Sequence, residues 1–206
     1  MNAPQGTDAW LVERAGHVTA SVFKDVLSKI KSGESASRRN LRIKLATERL
    51  TGLPVETYKN AAMEYGNETE GMARLAYEAA TGNLVEEVGF LKHPAIEWCG
   101  GSADGLIGDD GGFEAKCPFV STVHVETLIN GGIPSEHVAQ CQGLMWVTGR
   151  SRWTFVSYDP RMPKHLQLYV QEVPRDDAYI ANLEKEVRLF LAEVDDLVKK
   201  LNARTV

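Results

Sequence analysis

A chain of 206 residues with 43% hydrophobic and 25% charged content can bury one sizeable core, so a single α/β domain over 1–206 is expected. No apolar run is long enough to span a bilayer, and the opening MNAPQGTDAW lacks the basic and apolar regions of a secretory signal, which predicts a soluble cytoplasmic protein with no membrane partner. The formal charge of −5 argues against a protein that coats DNA along its length but leaves room for a local basic channel, and the three cysteines, Cys99, Cys117 and Cys141, have no CxxC spacing and predict core residues rather than a zinc site or disulfide framework.

Asp8 reads as the N-cap of a short helix over 9–15 that Gly16 ends, which sets Trp10 and Arg14 four apart on one face. An aromatic beside a guanidinium suits a nucleotide end, because the Arg fork matches phosphate oxygens and Trp can brace its stem or stack on a base. A core Trp10 and a solvated Arg14 ion pair is the plainer assignment. Thr19 or Ser21 is placed to cap a second helix running to Lys29, with Val22, Val26, Leu27 and Ile30 as a packing stripe. The polar, basic KIKSGESASRR that follows reads as a mobile loop able to contact DNA, with Lys31 among its cations. A third helix over 37–50 carries Arg38, Arg39, Arg42, Lys44 and Arg49 opposite Leu41, Leu45 and Ala46. Those charges fit a DNA-contacting face and an ordinary solvated face equally well.

Residues 60–81 read as a helix with a break near Gly66 and a stop at Gly82. Glu70 and Arg74, four apart, make a helix-stabilising pair, and Met63 is assigned to the core. Runs 84–91 and 97–102 read as strands leading into SADGLIGDDGGFEAKCP, residues 102–118. There Phe113 to Cys117 forms a strand behind a loose glycine hairpin, and strand alternation turns Glu114 and Lys116 one way while Phe113, Ala115 and Cys117 face the core. Asp104, across the hairpin, comes opposite Glu114. This set suits magnesium-dependent phosphodiester cleavage. Mg2+ takes oxygen ligands and keeps several waters, so the Asp104 and Glu114 carboxylates with the Ala115 carbonyl suffice beside substrate phosphate oxygens. Lys116 is placed to orient a metal-acidified water or to neutralise the transition state. A salt bridge in a solvated hairpin uses the same residue types, so the context must decide.

Ser121 is placed to cap the next helix, which Gly131-Gly132-Ile133-Pro134 ends. The helix over 135–147 holds Gln140 and Gln142, two apart, so at most one faces the site, where an amide can donate to a phosphate or orient a water. Runs 153–158 and 166–172 read as strands joined by DPRMPK, and Asp176 or Asp177 starts a last helix over 178–201. Its stripe of Ile180, Leu183, Val187, Leu191, Val194 and Leu201 is for packing or for meeting another subunit. The fold class expected is α/β (α+β), a central mixed β-sheet flanked by helices.

Taken in order, the blocks QGTDAWLVERAGHVTAS, YGNETEGMAR, SADGL, FEAKCPF, HVAQCQGLMWVTG and YDPRM resemble the lambda exonuclease branch of the YqaJ-like viral recombinase family, within the restriction-endonuclease-like nucleases. The resemblance covers nearly the whole chain and implies a PD-(D/E)xK core. It implies two Mg2+ ions per site, with Mn2+ able to substitute, and processive 5′-to-3′ digestion of double-stranded DNA from its ends into mononucleotides. It also implies a toroidal homotrimer, a single-strand annealing protein that receives the 3′ strands, and a phage or prophage protein acting in a bacterial host. Carried over residue by residue, Arg14, Ser21 and Ser102 bind the terminal 5′ phosphate with Trp10 beside them, and Glu70 reaches towards the metals. Met63 matches an apolar wedge at the duplex end, and Gln140 matches the family's glutamine within VAQ. His137 departs from the branch, which has Tyr there. Two rivals share these residues: a sequence-specific restriction-type endonuclease, which would cut closed circles, and a catalytically inactive DNA-binding module. The intact acidic set counts against the module, since buried like charges are costly unless they bind a cation.

Overall fold

A computed structural model describes residues 3–55 and 60–204. Thr7 rather than Asp8 opens the first helix, α1 (Asp8–Arg14): its backbone is extended and its hydroxyl accepts the Trp10 N–H, which leaves Asp8 as first-turn negative charge at the helix N-terminus. The chain then forms β1 (Val18–Thr19), a 3-10 turn (Ala20–Val22) and α2 (Phe23–Val26). The helix expected to reach Lys29 stops at Val26, because Phe23 and Val26 already fill the core while Ile30 is exposed and Lys29 bridges to Glu34. Ser35 caps α3 (Ala36–Thr51), and Gly52 in the left-handed region ends it. Helix α4 (Ala61–Thr81), capped by Asn60 and ended by Gly82, runs unbroken through Gly66. A lone interior glycine costs a helix only about 1 kcal/mol, which is too little to break one anchored on both sides.

Three strands, β1, β3 (Cys99–Ser102) and β2 (Phe90–Lys92), form one sheet in the order β1-β3-β2, parallel then antiparallel. Of the strand expected over 84–91, only its end pairs in β2, while Glu86 makes a single bridge to Leu106. The second sheet has the order β4 (Gly105–Ile107), β5 (Gly111–Lys116), β6 (Arg152–Tyr158) and β7 (Leu168–Pro174). Its central pair, β5 and β6, is parallel and is joined through α5 (Ser121–Asn130) and α6 (Ser135–Thr148). The one central sheet expected is therefore two mixed sheets, parted at Ala103 and Asp104. Gln5 marks the parting: its Nε2 donates to the carbonyls of Ala103 (2.6 Å) and Val88 (3.0 Å), groups a continuous ladder would otherwise use. Ser121 is not the cap of α5. Val120 takes that place, and Ser121, in the first turn, lies near Asp159 and helps to hold its carboxyl down.

The main core lies between the sheets, α6 and α7 (Asp177–Asn202), with Phe23, Leu144, Met145, Trp153, Phe155, Leu183 and Phe190 fully buried. A Cβ on Gly112 would fall 2.2 Å from the Trp153 ring, so that ring can lie across β5 only because the position is bare. Ala73 and Tyr77 of α4 form a smaller core with Phe113 and Val156. The α7 stripe is buried from Ile180 to Val194, while Leu201 projects beyond it. The basic face of α3 turns out to be an ion-paired contact with α7. Arg38 and Arg42 share Glu34 and Glu193 at 2.7–2.9 Å, Arg49 bonds Asp195, and Lys44 lies 3.8 Å from Glu48. Among the described residues, no helix is long and apolar enough to cross a membrane.

Candidate active site

Strand β5 sorts its side chains as alternation demands: Phe113 and Ala115 lie in the α4 core, and Glu114 and Lys116 turn to the other face, where the Lys116 ammonium donates to Glu114 Oε1. Glu114 is fully buried. The same Oε1 accepts Gln140 Nε2 from α6 at 2.5 Å, while Oε2 is buried with no partner. The pairing Gly105↔Phe113, carried one residue further, sets Asp104 against Glu114, and Asp104 Oδ2 accepts the Ala115 N–H at 2.8 Å. In a strand the N–H and C=O of one residue leave towards the same neighbour, so the Ala115 carbonyl faces that edge too. Glu70, half-buried on α4, completes the group. Its expected partner Arg74 instead pairs with Glu87 at 2.7 Å.

The electrostatics of the group follow from crowding. Burial, then the Asp104 carboxylate, raises Glu70 to about 7, and the same two causes raise Glu114 to about 8 against the pull of Lys116. Asp104 is raised by burial as well. Burial works to lower Lys116, but Glu114 and Asp104 outweigh it and hold the ammonium charged. Three carboxyl groups crowd one ammonium, so fully ionised they would carry more negative charge than Lys116 offsets. Together with the orphaned Glu114 Oε2, this donor set fits a hard divalent cation. Among the described residues, no group of three His, Cys, Asp or Glu side chains is placed to enclose an ion by itself.

Beside this group lies a second, built from α1, β1 and β3. Arg14 lies over the Trp10 ring at 4.1 Å, and Trp10 Nε1 donates to Ser102 Oγ at 3.1 Å. Arg14 Nη2 reaches Thr19 Oγ1 at 3.5 Å, and Thr19 and Ser21 hydroxyls lie 3.2 Å apart. Trp10, Arg14, Ser21 and Ser102 thus form one connected cluster, two residues from Asp104. Arg14 Nε is buried without a partner among the described residues, and burial lowers the guanidinium pKa while Glu48 opposes. A cavity of about 260 Å³ opens here, lined by Arg14, His17, Thr19, Ser21, Lys44 and Glu48. Thr19 and Ser21, expected to cap the second helix, make no side-chain capping bond to it: Val22 precedes α2, and the two hydroxyls turn to each other, Thr19 also meeting Arg14. Buried Glu48, which accepts the Gly16 and Val55 N–H groups, had no sequence signal, since its helix reads as amphipathic with charges outward. A larger cavity of about 810 Å³, lined by Glu68, Glu70, Glu86, Glu87 and Asp104, opens onto the carboxylates.

The other candidates divide. Gln142 turns away, binding the Pro174 carbonyl and the Asp176 N–H, so Gln140 alone faces the carboxylates. His137 stacks on Phe155 at 5.5 Å, and burial, then Lys116, pushes it down to about 4, leaving a neutral imidazole. Met63 is 47% exposed on the first turn of α4 and is not in the core. Lys31 is exposed on the turn between Lys29 and Glu34, and among the described residues it makes no hydrogen bond or ion pair with the Arg14 cluster.

Residues 9–151 match the sequence profile of the YqaJ-like viral recombinase domain. The crystal structure of an alkaline exonuclease, LHK-Exo, from Laribacter hongkongensis matches with TM-score 0.88 and 43% identity, over 95% of this chain and 96% of that one. The same protein in complex with dAMP matches with the same figures. A phage-related exonuclease from Haemophilus somnus 129PT shares the fold at TM-score 0.70 and 15% identity, over 90% of this chain and 96% of that one. An uncharacterized Escherichia coli K12 protein, ExoD, is 35% identical over 69 residues, 34% of this chain and 78% of its own.

Proposed function

Since the chain belongs to the YqaJ-like viral recombinase family, we propose that this phage-type exonuclease digests double-stranded DNA from 5′ ends with Mg2+, releasing mononucleotides. The observation that carries the reading is the juxtaposition of two unsatisfied groups: the orphaned Glu114 Oε2 among three carboxylates, and the orphaned Arg14 Nε in the cluster that Ser102 joins to Asp104. One attracts a cation and the other an anion, as a metal-assisted cut beside a terminal phosphate requires.

Asp104, Glu114 and the Ala115 carbonyl would hold the metal, with Glu70 reaching in. When bound, it supplies an acidified water and offsets the charge on the scissile phosphate. Gln140 and Lys116 fix Glu114 from two sides, which holds the carboxylate in one rotamer. Lys116, kept charged by its neighbours, orients the attacking water and stabilises the negative charge that builds on phosphorus. Arg14, Ser21 and Ser102 hold the terminal 5′ phosphate, which places the next phosphodiester at the carboxylates and sets the polarity. Hydrolysis there expels the 3′ oxygen of the first nucleotide and leaves the phosphate on the shortened strand. Each cut regenerates the group that the cluster binds, a chemical basis for processivity. Family resemblance further supports a toroidal homotrimer that passes 3′ strands to a single-strand annealing protein in a bacterial host, and use of Mn2+ in place of Mg2+.

The test is digestion of a linear duplex labelled at one 5′ end, beside a covalently closed circle, with Mg2+ and with chelator. Loss of the linear duplex alone, as labelled mononucleotide and only with metal, is the expected result. Nicking of the circle would favour a restriction-type endonuclease, and no cleavage in any metal a DNA-binding module.

A further inference from the structure

The turn 159–162 of the YDPRM block takes no part in the site as described, yet it ties two pieces of that site together. Asp159 is fully buried, and its Oδ1 accepts the Arg161 backbone N–H (2.9 Å) and Nε (2.8 Å) while Oδ2 accepts Nη2 (2.9 Å). These bonds, Arg161 first, hold the Asp159 carboxyl down at about 2. Fixed by that fork, the guanidinium donates through Nη1 to the Phe119 carbonyl and through Nη2 to the Pro118 carbonyl, both at 2.9 Å. Both carbonyls lie past Lys116, the last paired residue of β5, so the guanidinium stands in for a strand neighbour. It also lies over the Tyr65 ring at 4.8 Å, and Tyr65 meets Phe119 edge-on at 5.7 Å. Tyr65 is on α4, five residues before Glu70. The buried residues of that helix are Thr69, Ala73 and Tyr77, so its first turns are held by the Tyr65 contacts.

We propose that Arg161 is a positioning residue for hydrolysis: by clamping the end of β5 to the first half of α4, it sets where Glu70 stands relative to Asp104 and Glu114. The inference rests on the proposed function, in which these carboxylates act together. Arginine is needed because a planar, permanently charged fork can bind a carboxylate, two carbonyls and an aromatic face at once, and lysine cannot.

The test is a double-mutant cycle of Arg161→Lys with Glu70→Gln, read by kcat and KM on linear duplex and by the rise in melting temperature that Mg2+ produces. A displacement near 1 Å costs catalysis about 100-fold, so Arg161→Lys is expected to lower kcat about 10- to 100-fold with KM changed less than about threefold. Its Mg2+-dependent rise in melting temperature should be smaller than that of the unaltered protein. In the Glu70→Gln background the same change should alter kcat less than about twofold, since the residue it positions is already gone. Should Arg161→Lys fail to fold cooperatively, Tyr65→Leu, which leaves the Asp159 pair intact, runs the same cycle. A full, additive loss in the Glu70→Gln background, or an Arg161→Lys enzyme with unaltered kcat and Mg2+ response, would overturn the clamp alone. A Glu70→Gln enzyme with undiminished kcat would sink the proposed role of Glu70 as well.

Discussion

Replacing Arg14 with glutamine removes the guanidinium of the end cluster while keeping a polar side chain of similar reach. The guanidinium has five N–H donors and, among the described residues, makes a single long bond, 3.5 Å to Thr19, with Nε buried and unpartnered, so donors remain for the phosphate proposed above. Two charge-assisted bonds to a terminal phosphate, after competition with water, contribute about 3 kcal/mol, which converts to a preference of about 100-fold. The assay is release of the first nucleotide from duplexes with a 5′ phosphate or a 5′ hydroxyl, compared as kcat/KM; later nucleotides are uninformative, because every cut leaves a phosphate. Arg14→Gln should erase about 100-fold of preference, and Arg14→Lys, which keeps charge but loses the fork, about tenfold. The lost contact with Trp10 costs about 0.5–1 kcal/mol of stability, a melting shift of a few degrees, so loss of fold would not account for the change. An Arg14→Gln enzyme that still prefers phosphorylated ends as strongly as the unaltered one would refute the assignment.

Lys116→Ala should fold and bind duplex ends yet lose turnover by about 100-fold or more, measured under single-turnover conditions; retained activity would remove Lys116 from the chemistry. Gln140→Leu should lower kcat with little loss of stability, whereas Gln142→Leu, which strands the Pro174 carbonyl and the Asp176 N–H, should cost about 1–3 kcal/mol in urea unfolding and leave kcat unchanged. Glu70 and Glu114 sit at about 7 and about 8 in the fold against 4.5 ordinarily, so the folded chain keeps protons that the unfolded chain has released across that window. Below about 6.5 the lowered His137 works the opposite way, gaining stability as pH rises, so the clean window lies above it: stability in chelator should fall as pH rises from about 6.5 through 8, and Mg2+ should raise the melting temperature more at pH 8.5 than at pH 5. A chelated protein whose melting temperature is flat over that range would contradict the crowding of these carboxylates.

What the sequence made legible was what depends on near neighbours. Alternation sorted Glu114 from Ala115, and the hairpin offset brought Asp104 to Glu114, because strand geometry leaves little choice. Apolar periodicity likewise found α7. Partners far apart in the chain stayed hidden. Arg38 finds Glu193 across 155 residues, and Gln5 reaches Ala103 across 98, the contact that marks the division of the sheet. Arg74 leaves Glu70 for Glu87, a choice no helical spacing could reveal. Arg161 reads as a turn residue, and only its three-dimensional surroundings show it reaching both the chain just past β5 and α4.

The ion pairs between α3 and α7 bear on how the molecule searches for its substrate. Arg38, Arg42 and Arg49 are neutralised by carboxylates of their own chain, and Lys44 lies beside Glu48, so of the five cations on this helix, the most basic-looking segment of the sequence, exposed Arg39 is left without an ion pair among the described residues. For the exonuclease proposed above, these paired arginines are then expected to add little to the salt dependence of DNA binding, and any hold on duplex away from an end must come from cations elsewhere on the chain.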